Sequence, residues 1–481
     1  MEDLLFTAPG GFALDAIALL EQAADAVMPM TAAQRRDLPH ACRDLSAMLT
    51  TERGAISRSY WSAPRLTSAY LRYFFPWNVV RMASLLPSLD LGDPSGSPLI
   101  LDLGSGPLTL PMALWLSRPD LRALPVTIVA SDTSPHVMDL GRSMFSFLRG
   151  KLDPESPWTV RTMRCAAAQA LRRLRAKPGE LRLLCMANVL NEMDERRPQP
   201  GQHISERLRL LLEDAHRMLA EGGRVLAIEP GTRQGGRLIA LLRRSALGGE
   251  DDGESEDPAS FAARGEMRGR YPAEDDFEDD GGPESSLPPL FHPLSPCIHA
   301  DSCPMLGRGV SAWCHFNAPA PHAPGWLRDL SARAGMDKES VSLSFMLLKK
   351  QDGETPARAP RMRGAIPARV ISDAFSVPGL SGAARYACTP LGLALLPDAL
   401  RLRQGEACRV RPTHERDAKS RAAIMLPESK REQNRPSEER KRPVRPRGTI
   451  RHDAPGERRK GGADGRARRP SAAGTQRKQP R

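Results

Sequence analysis

The stretch that decides the fold is LILDLGSGPLT, at residues 99–109. Its first residues are apolar, which is typical of a strand buried in the middle of a sheet. Gly104 and Gly106 then let the backbone turn sharply and pass close to a ligand. Thr109 is suited to cap a following helix, with Pro111 in its first turn. The stretch therefore predicts a strand, a glycine turn and a helix whose N-terminus faces whatever binds above the sheet.

The alternation of strand and helix continues from this stretch to about residue 248. Four further strands are predicted by runs of apolar and β-branched residues at 126–130, 159–163, 181–186 and 224–229. The run at 341–348 predicts a late strand of the same sheet. The pattern predicts an α/β fold, a doubly wound Rossmann-like parallel sheet with helices on both faces, as the core at residues 93–248.

Polar residues follow three of these strands, at the ends where a doubly wound sheet binds ligands. The turn with Gly104 and Gly106 follows the first strand, Asp132 follows the second and Asn188 the fourth. A carboxylate at the end of the second strand is well placed to accept hydrogen bonds from two ribose hydroxyls. The sequence therefore predicts a nucleotide-type site. A nicotinamide-binding turn would have a third glycine at position 109, which is Thr109 here.

The Asp-x-Gly-x-Gly form of this turn, which begins at Asp102, resembles motif I of Rossmann-like S-adenosylmethionine-dependent methyltransferases. The resemblance implies that Asp102, Gly104 and Gly106 cradle the methionine end of the cofactor. It also implies that Asp132 binds the ribose and that Asn188 lies beside the reacting sulfonium. The sequence departs from the family where many members have a further glycine, because residue 108 is leucine. The Asn/Asp-Pro-Pro-aromatic motif of enzymes that methylate flipped bases is absent, and we predict no catalytic residue.

Composition and charge divide the rest of the chain into segments. An N-terminal helical module without evident chemistry is expected at 1–92, an acidic disordered insertion at 249–284, a cysteine-rich metal-binding segment with the late strand at 285–350, a small β-containing segment at 351–405 and a disordered basic tail at 406–481.

The net charge is +12, and residues 409–481 carry 23 Lys and Arg against 9 Asp and Glu. The two densest runs of cations in the tail hold no aromatic residues. We therefore expect sequence-indifferent contacts between the tail and RNA phosphates.

The N-terminus and the apolar runs bear on the compartment. Residues 1–5 are MEDLL, whose acids are atypical of a signal peptide or an Arg-rich transit peptide. The sequence contains no apolar run of the roughly 18 residues that a membrane span needs. The expected location is cytoplasmic, with no membrane partner.

Three of the eight cysteines lie close together in the chain, namely Cys297, Cys303 and Cys314. Clustered cysteines in a protein without an export signal indicate a metal site. Zinc sites usually pair their ligands as Cys-x₂₋₄-Cys, a spacing that is missing here, whereas an iron–sulfur cluster takes four thiolates and tolerates longer gaps. We take Cys388 as the fourth ligand, because Cys408 lies too near the predicted tail. If the metal is zinc, the rival ligands are His292, His299, His315 and His322.

A closer resemblance rests on several motifs together. They are TER at 51–53, LDLGSG at 101–106, NVLNE at 188–192, IEPGT at 228–232, PCIH at 296–299, CP at 303–304 and WCHF at 313–316. In these motifs the chain resembles the methyltransferase-like family of the mitochondrial small ribosomal subunit and its bacterial relatives, over residues 45–395. The resemblance implies association with small-subunit rRNA or its assembly intermediates, and a 4Fe–4S cluster held by Cys297, Cys303, Cys314 and Cys388. Two functions stay open, methyl transfer to small-subunit rRNA and non-catalytic RNA binding during assembly.

Overall fold

A computed structural model describes residues 4–50, 60–93, 95, 97–195, 203–249, 287–307, 312–351, 364–378 and 382–428. Most of the predicted acidic insertion, most of the predicted basic tail and the TER motif at 51–53 lie outside these residues. Among the helices within them, none combines the length and the apolar character that crossing a membrane requires.

The central element is a mixed, mainly parallel sheet. Its strands are β1 (Leu99–Leu103), β2 (Thr127–Asp132), β3 (Thr159–Arg164), β4 (Leu181–Ala187), β5 (Leu219–Pro230), β6 (Phe291–Ser295), β7 (Phe316–Pro319) and β8 (Ser340–Lys350). The order is β3-β2-β1-β4-β5-β8-β6, and β7 also pairs with β8. Strands β1 to β5 are parallel, as the alternation predicts, whereas β8 runs antiparallel to β5 and pairs antiparallel with β6 and β7.

The strand order reverses between β1 and β4, which places a crevice outside their carboxyl ends. The side chains of β1 alternate between the two faces of the sheet, so that Ile100 joins one buried cluster and Leu101 and Leu103 join the other. Both faces are therefore covered.

Helices provide that cover, mostly on the two sides of the sheet. In the core they are α6 (Thr109–Ser117), α7 (Pro119–Arg122), α8 (Pro135–Leu152), α9 (Ala167–Arg173), α10 (Leu190–Glu195), α11 (Ile204–Met218), α12 (Arg233–Ala246) and α13 (Gly325–Arg333). The N-terminal helices are α1 (Gly11–Ala18), α2 (Leu20–Val27), α3 (Ala32–Thr50), α4 (Pro64–Ala69) and α5 (Phe75–Leu85). A π-helical turn, Tyr70–Phe74, joins α4 to α5. The N-terminal helices share one apolar cluster with α6 and Ile100.

The C-terminal part of the chain forms a small closed barrel. Its strands are β9 (Ile366–Val370), β10 (Phe375–Ser376), β11 (Ala383–Thr389), β12 (Gly392–Leu396), β13 (Ala407–Arg416) and β14 (Ala423–Pro427). The order is β10-β11-β12-β14-β13-β9, and β9 also pairs with β11, which closes a ring of five strands. The interior holds Ile366, Val370, Leu396, Val410 and Met425.

The barrel differs from the prediction that a disordered tail begins at 406, because β13 and β14 extend the ordered chain to Pro427. Cys408 and Val410 point into the barrel, whereas Arg409 between them is half-buried and Arg411 beyond them is exposed. This alternation is typical of a β-strand with one buried face and one solvent-exposed face. The arginines on that face give the segment the composition of the tail that follows it.

Candidate functional site

The turn after β1 is left-handed at three positions. Gly104 has φ +66°, Gly106 has φ +52°, and Leu108 has φ +61°. At Gly104 an added Cβ would lie 2.4 Å from Cγ2 of Val189, so this position also needs the absence of a side chain. At Gly106 the nearest atom to an added Cβ is Cζ2 of Trp61, at 3.9 Å. Gly106 is therefore needed for its backbone angles alone.

Leu108, and not Thr109 as predicted, occupies the N-cap position of α6. Its side chain is completely buried by protein atoms, so it does not stand in the open crevice. Its left-handed backbone is uncommon for a branched residue, and such angles concentrate at functional sites. Leu108 stands where many S-adenosylmethionine-dependent methyltransferases have a further glycine. Because its side chain is buried, this leucine changes the packing inside the turn more than the space of the open crevice.

Asp102 is buried at the end of β1, where its carboxylate accepts a hydrogen bond from the Ser105 hydroxyl. The Ser131 hydroxyl donates to the Asp102 carbonyl oxygen over 2.9 Å. Burial raises the pKa of Asp102 to about 7, with a smaller contribution from the charge of Asp132. Among the described residues Asp102 Oδ1 has no hydrogen-bond partner. A buried acceptor of this kind is suited to a ligand donor.

Asp132, at the end of β2, is half-buried and engages both of its oxygens. The backbone N–H of Gly106 donates to Oδ2 over 3.0 Å, and that of Ser134 donates to Oδ1 over 2.8 Å. The carboxylate therefore braces the glycine turn against the start of α8. Each oxygen still has capacity for a further donor, because an ionised carboxylate offers about four acceptor positions.

A cavity of about 490 Å³ is lined in part by Thr133 and Ser134, which directly follow Asp132 in the chain. Its wall combines the start of α8 with residues of the N-terminal helices, namely Met28, Trp61, Ser62, Pro64, Thr67, Thr133, Ser134, Pro135 and His136. The volume is in the range of small-ligand pockets.

Asn188 follows β4 with φ +56°, and its side-chain oxygen is buried without a hydrogen-bond partner in the described part of the chain. Its backbone N–H donates to Ile228 over 2.8 Å, and the N–H of Leu190 donates to Oε1 of Glu229 over 2.8 Å. Because β4, β1 and β2 are neighbours in the sheet, Asn188, Asp102 and Asp132 lie at one edge. The structure thus brings the predicted residues of the nucleotide-type site together.

Three further polar residues near this edge were missed from the sequence. Burial and the neighbouring Glu192 raise the pKa of Tyr70 to about 12, and Asn78 hydrogen-bonds with Tyr70. Burial lowers the pKa of Arg81 to about 10, and its guanidinium donates to the side chain of Asn78. The available signal was the sequence of α5, FPWNVVRMASL, in which Asn78 and Arg81 interrupt an apolar helix one turn apart.

The four predicted cysteine ligands come from separate elements. Cys297 follows β6, Cys303 precedes the 3₁₀ turn Pro304–Leu306, Cys314 precedes β7, and Cys388 lies on β11 of the barrel. Burial raises the pKa of the Cys314 thiol, and the charges of Cys297, Cys388 and Cys303 raise it further. The four sulfurs are therefore near enough to interact electrostatically. Even so, no group of three or more His, Cys, Asp or Glu side chains in the described ranges is arranged to hold a metal ion.

Of the four rival histidines, His299 is the one seen against a cysteine sulfur, with Nε2 at 3.3 Å from Sγ of Cys388. Burial lowers its pKa to about 4, and the charge of Arg243 contributes in the same direction. A neutral imidazole is the form that can ligate a metal or share a hydrogen bond with a thiolate.

No family model and no curated protein matches the chain. Similar solved structures include an S-adenosylmethionine-dependent methyltransferase from Methanosarcina mazei (14% identity, 28% of this chain and 54% of that chain, TM-score 0.20). TrmN from Thermus thermophilus is 20% identical over 36% of this chain and 45% of its own, with a TM-score of 0.24. The geranyl diphosphate C-methyltransferase of Streptomyces coelicolor, in complex with S-adenosyl-L-homocysteine, is 13% identical over 54% and 75%, with a TM-score of 0.25. The chain spans about half the length of the first two structures.

Proposed function

We propose that the protein binds S-adenosylmethionine at the carboxyl edge of its sheet and methylates rRNA of the small ribosomal subunit or of its assembly intermediates. The observation that carries the cofactor proposal is the convergence of Asp102, Asp132 and Asn188 at one edge of the sheet. Thr133 and Ser134, which directly follow Asp132, line a cavity of about 490 Å³. Two buried oxygens at this edge, Asp102 Oδ1 and Asn188 Oδ1, have no hydrogen-bond partner among the described residues.

The residues present fit this cofactor. The remaining acceptor positions of Asp132 would take the ribose hydroxyls, and the turn with Gly104 and Gly106 would pass close to the methionine end. Asn188 Oδ1 would face a donor or the positively charged sulfonium. Bound S-adenosylmethionine supplies an electrophilic methyl group. The chain's own contribution is to orient that group and to keep water out.

Calorimetric titration of the folded protein with S-adenosylmethionine tests the cofactor proposal. We expect Asp132→Asn to weaken binding at least about tenfold, since a lost charge-assisted hydrogen bond costs roughly 1.5–3 kcal/mol. Asp139→Asn is the matched control, because Asp139 lies on α8 with its side chain 56% exposed in a surface ion pair with Arg142. Absence of binding heat from the folded wild-type chain at high ligand concentration would overturn the proposal.

The RNA target rests on the family resemblance and on charge. The segment 409–481 carries most of the basic excess, and in its described part Arg411 and Arg416 are exposed on β13. Such a surface favours phosphate contacts, whose affinity falls steeply with salt. Transfer of labelled methyl groups from S-adenosylmethionine to isolated small-subunit precursors, compared with mature subunits and with protein-free RNA, tests the reaction and its substrate.

A non-catalytic RNA-binding assembly factor is the second candidate function. It is favoured by the hydrogen bonds of Asp132, whose two oxygens already accept from Gly106 and Ser134 of the surrounding turns. The turn is therefore braced without a ligand. An Asp132→Asn chain that binds no S-adenosylmethionine but supports small-subunit assembly as well as wild type would favour this second function.

We also propose that Cys297, Cys303, Cys314 and Cys388 hold a 4Fe–4S cluster. The support is the chemistry of the donor set, since the sulfurs of these four cysteines, from separate elements, lie near enough to interact electrostatically. Thiolate ligands are the donors that such a cluster takes. Anaerobic purification followed by iron, sulfide and zinc analysis is the test. A colourless protein with stoichiometric zinc would overturn the cluster.

A further inference from the structure

Arg243 is a buried cation beside the four cysteines. It lies on α12 with 1% of its surface exposed. Its Nη2 donates to the carbonyl oxygens of His299 over 2.9 Å and of Asp301 over 2.6 Å. These bonds fasten the loop between Cys297 and Cys303 to the helix. A helix residue thus fixes the segment that carries two of the four sulfurs.

Arg243 is unusual because it carries a positive charge in the protein interior. Among the described residues no carboxylate lies within ion-pair distance of it, and its Nε has no hydrogen-bond partner there. The side chain of Arg243 hydrogen-bonds with Cys297, and Cys303 and Cys388 lie near enough to interact with its charge. A buried guanidinium without an anion is costly, because its desolvation is uncompensated. Thiolates of these cysteines are therefore anions placed to balance the charge of Arg243.

A second buried arginine approaches the same sulfurs from the barrel. Arg369, on β9, is 4% exposed and pairs in register with Cys388 of β11. Its Nε donates to the carbonyl oxygen of Pro296 over 3.0 Å, next to Cys297, and its Nη1 donates to Gly405 over 2.8 Å. Two guanidinium groups from different parts of the fold therefore flank the cysteines.

We infer that Arg243 and Arg369 are positioning residues that supply the counter-charge for a thiolate-ligated, net-negative group, and that Arg243 sets the reduction potential of that group. The inference rests on the proposed cluster. Four thiolates around a 4Fe–4S core leave the assembly negative, and one-electron reduction by an external reductant adds a further negative charge. A fixed positive charge stabilises the reduced form more than the oxidised form, since the Coulomb energy grows with the charge on the cluster. Both arginines stay protonated, and the electron resides on the cluster.

The experiment compares anaerobically purified wild type with Arg243→Gln, Arg243→Lys and Arg369→Gln. Arg233→Gln is the control, because Arg233 begins the same helix and is exposed. Iron and sulfide content are measured first, and the reduction potential is then measured by spectroscopic titration with a chemical reductant. We expect Arg243→Gln to lower the reduction potential and Arg369→Gln to lower it less. Arg243→Lys is expected to stay near wild type, because it keeps the charge.

The possible results test the proposed cluster and the role of Arg243 separately. A wild-type protein without iron overturns the proposed cluster itself. A loaded Arg243→Gln protein with an unchanged potential overturns the inference and leaves the cluster standing. If Arg243→Gln loses its iron, the lysine variant decides: retention of iron at a near-wild-type potential supports the charge role. Loss of iron from the lysine variant too would overturn it, because the guanidinium hydrogen bonds alone would then account for the effect.

Discussion

Two glycines of the same turn, Gly104 and Gly106, are both left-handed but have different neighbours. Alanine in a left-handed conformation costs about 1–2 kcal/mol. We expect Gly106→Ala to lower the free energy of unfolding by about that amount. Gly104→Ala should cost about 1–3 kcal/mol more, because its Cβ would overlap the side chain of Val189.

Urea denaturation of the two variants measures this difference directly. The double variant Gly104→Ala/Val189→Gly should regain the stability that the steric overlap removes from Gly104→Ala. It also loses some stability, because the extra glycine has more conformational freedom in the unfolded chain. Equal destabilisation by the two single variants would contradict the contact between the β1 turn and Val189.

The buried carboxyl of Asp102 makes stability depend on pH. Its pKa of about 7 in the fold lies above the ordinary value of 3.8, so the folded chain keeps a proton that the unfolded chain releases between these values. The contribution of Asp102 to stability is therefore full at acid pH and is lost as the pH rises to about 7. It amounts to about 4 kcal/mol, at about 1.4 kcal/mol per unit.

Denaturation of wild type and Asp102→Asn across this pH window isolates the effect. The free energy of unfolding of wild type should fall with rising pH relative to that of Asp102→Asn, and the difference should level off above neutrality. Parallel pH profiles would show that Asp102 is ionised in the fold.

The position of Asp102, Asp132 and Asn188 at one edge of the sheet could be predicted, because each ends or follows a strand that local hydrophobicity reveals. Their burial and hydrogen bonds could not. Tyr70 and Arg81 escaped prediction because their position depends on how the N-terminal helices pack against a sheet that is formed much later in the chain. Asn78 and Arg81 interrupt the apolar helix α5, but nothing local to residues 70–81 specifies which part of the sheet this polar pair faces.

At the scale of elements, the connection between β6 and β7 carries Cys297, Cys303 and Cys314. If a cluster organises it, Cys303→Ser should lower the melting temperature of the anaerobically purified protein by several degrees, because the free energy of metal binding contributes to folding. Cys165→Ser is the matched control, since Cys165 lies apart from this connection, after β3. Unchanged melting of Cys303→Ser would argue against a bound cluster.

Whether a strand could be predicted depended on the amino-acid composition of its segment. Strands β1, β2, β4 and β5 could be identified because buried parallel strands are continuous apolar runs. The edge strand β3, TVRTMR, is largely exposed and was indicated by its β-branched residues and its place in the alternation. The antiparallel pairing of β6 and β7 with β8 could not be predicted, since these segments, FHPLS and FNAP, are short and each contains a proline. β13 was hidden by the arginines of its exposed face, and β14, AIMLP, is a short apolar run within the same basic segment.

At the scale of the whole molecule, folding and RNA binding should separate just after β14, the last strand of the barrel, which ends at Pro427. Residues 429–481 carry 18 Lys and Arg against 6 Asp and Glu. A chain of residues 1–428 keeps the barrel and should melt at the wild-type temperature. Its affinity for RNA should be lower at low salt, and the dependence of binding on salt should be shallower, because fewer counterions are released.

Fluorescence anisotropy with an RNA oligonucleotide over a range of salt concentrations measures both quantities. A full-length chain with glutamine in place of the Lys and Arg residues of 429–481 controls for length and should behave like the truncated chain. RNA binding by residues 1–428 with an unchanged salt dependence would place the RNA surface in the folded part.

The position of β8 has a consequence for synthesis of the chain. β8 covers the edge of β5 and is the partner of both β6 and β7, yet β5 ends at Pro230 and β8 begins at Ser340. A nascent chain therefore presents the unpaired edge of a buried strand until residue 350 has left the ribosome, and open edges of this kind recruit other strands. A stop codon between the two strands should thus yield an aggregating fragment that depends on chaperones, and not a smaller folded protein.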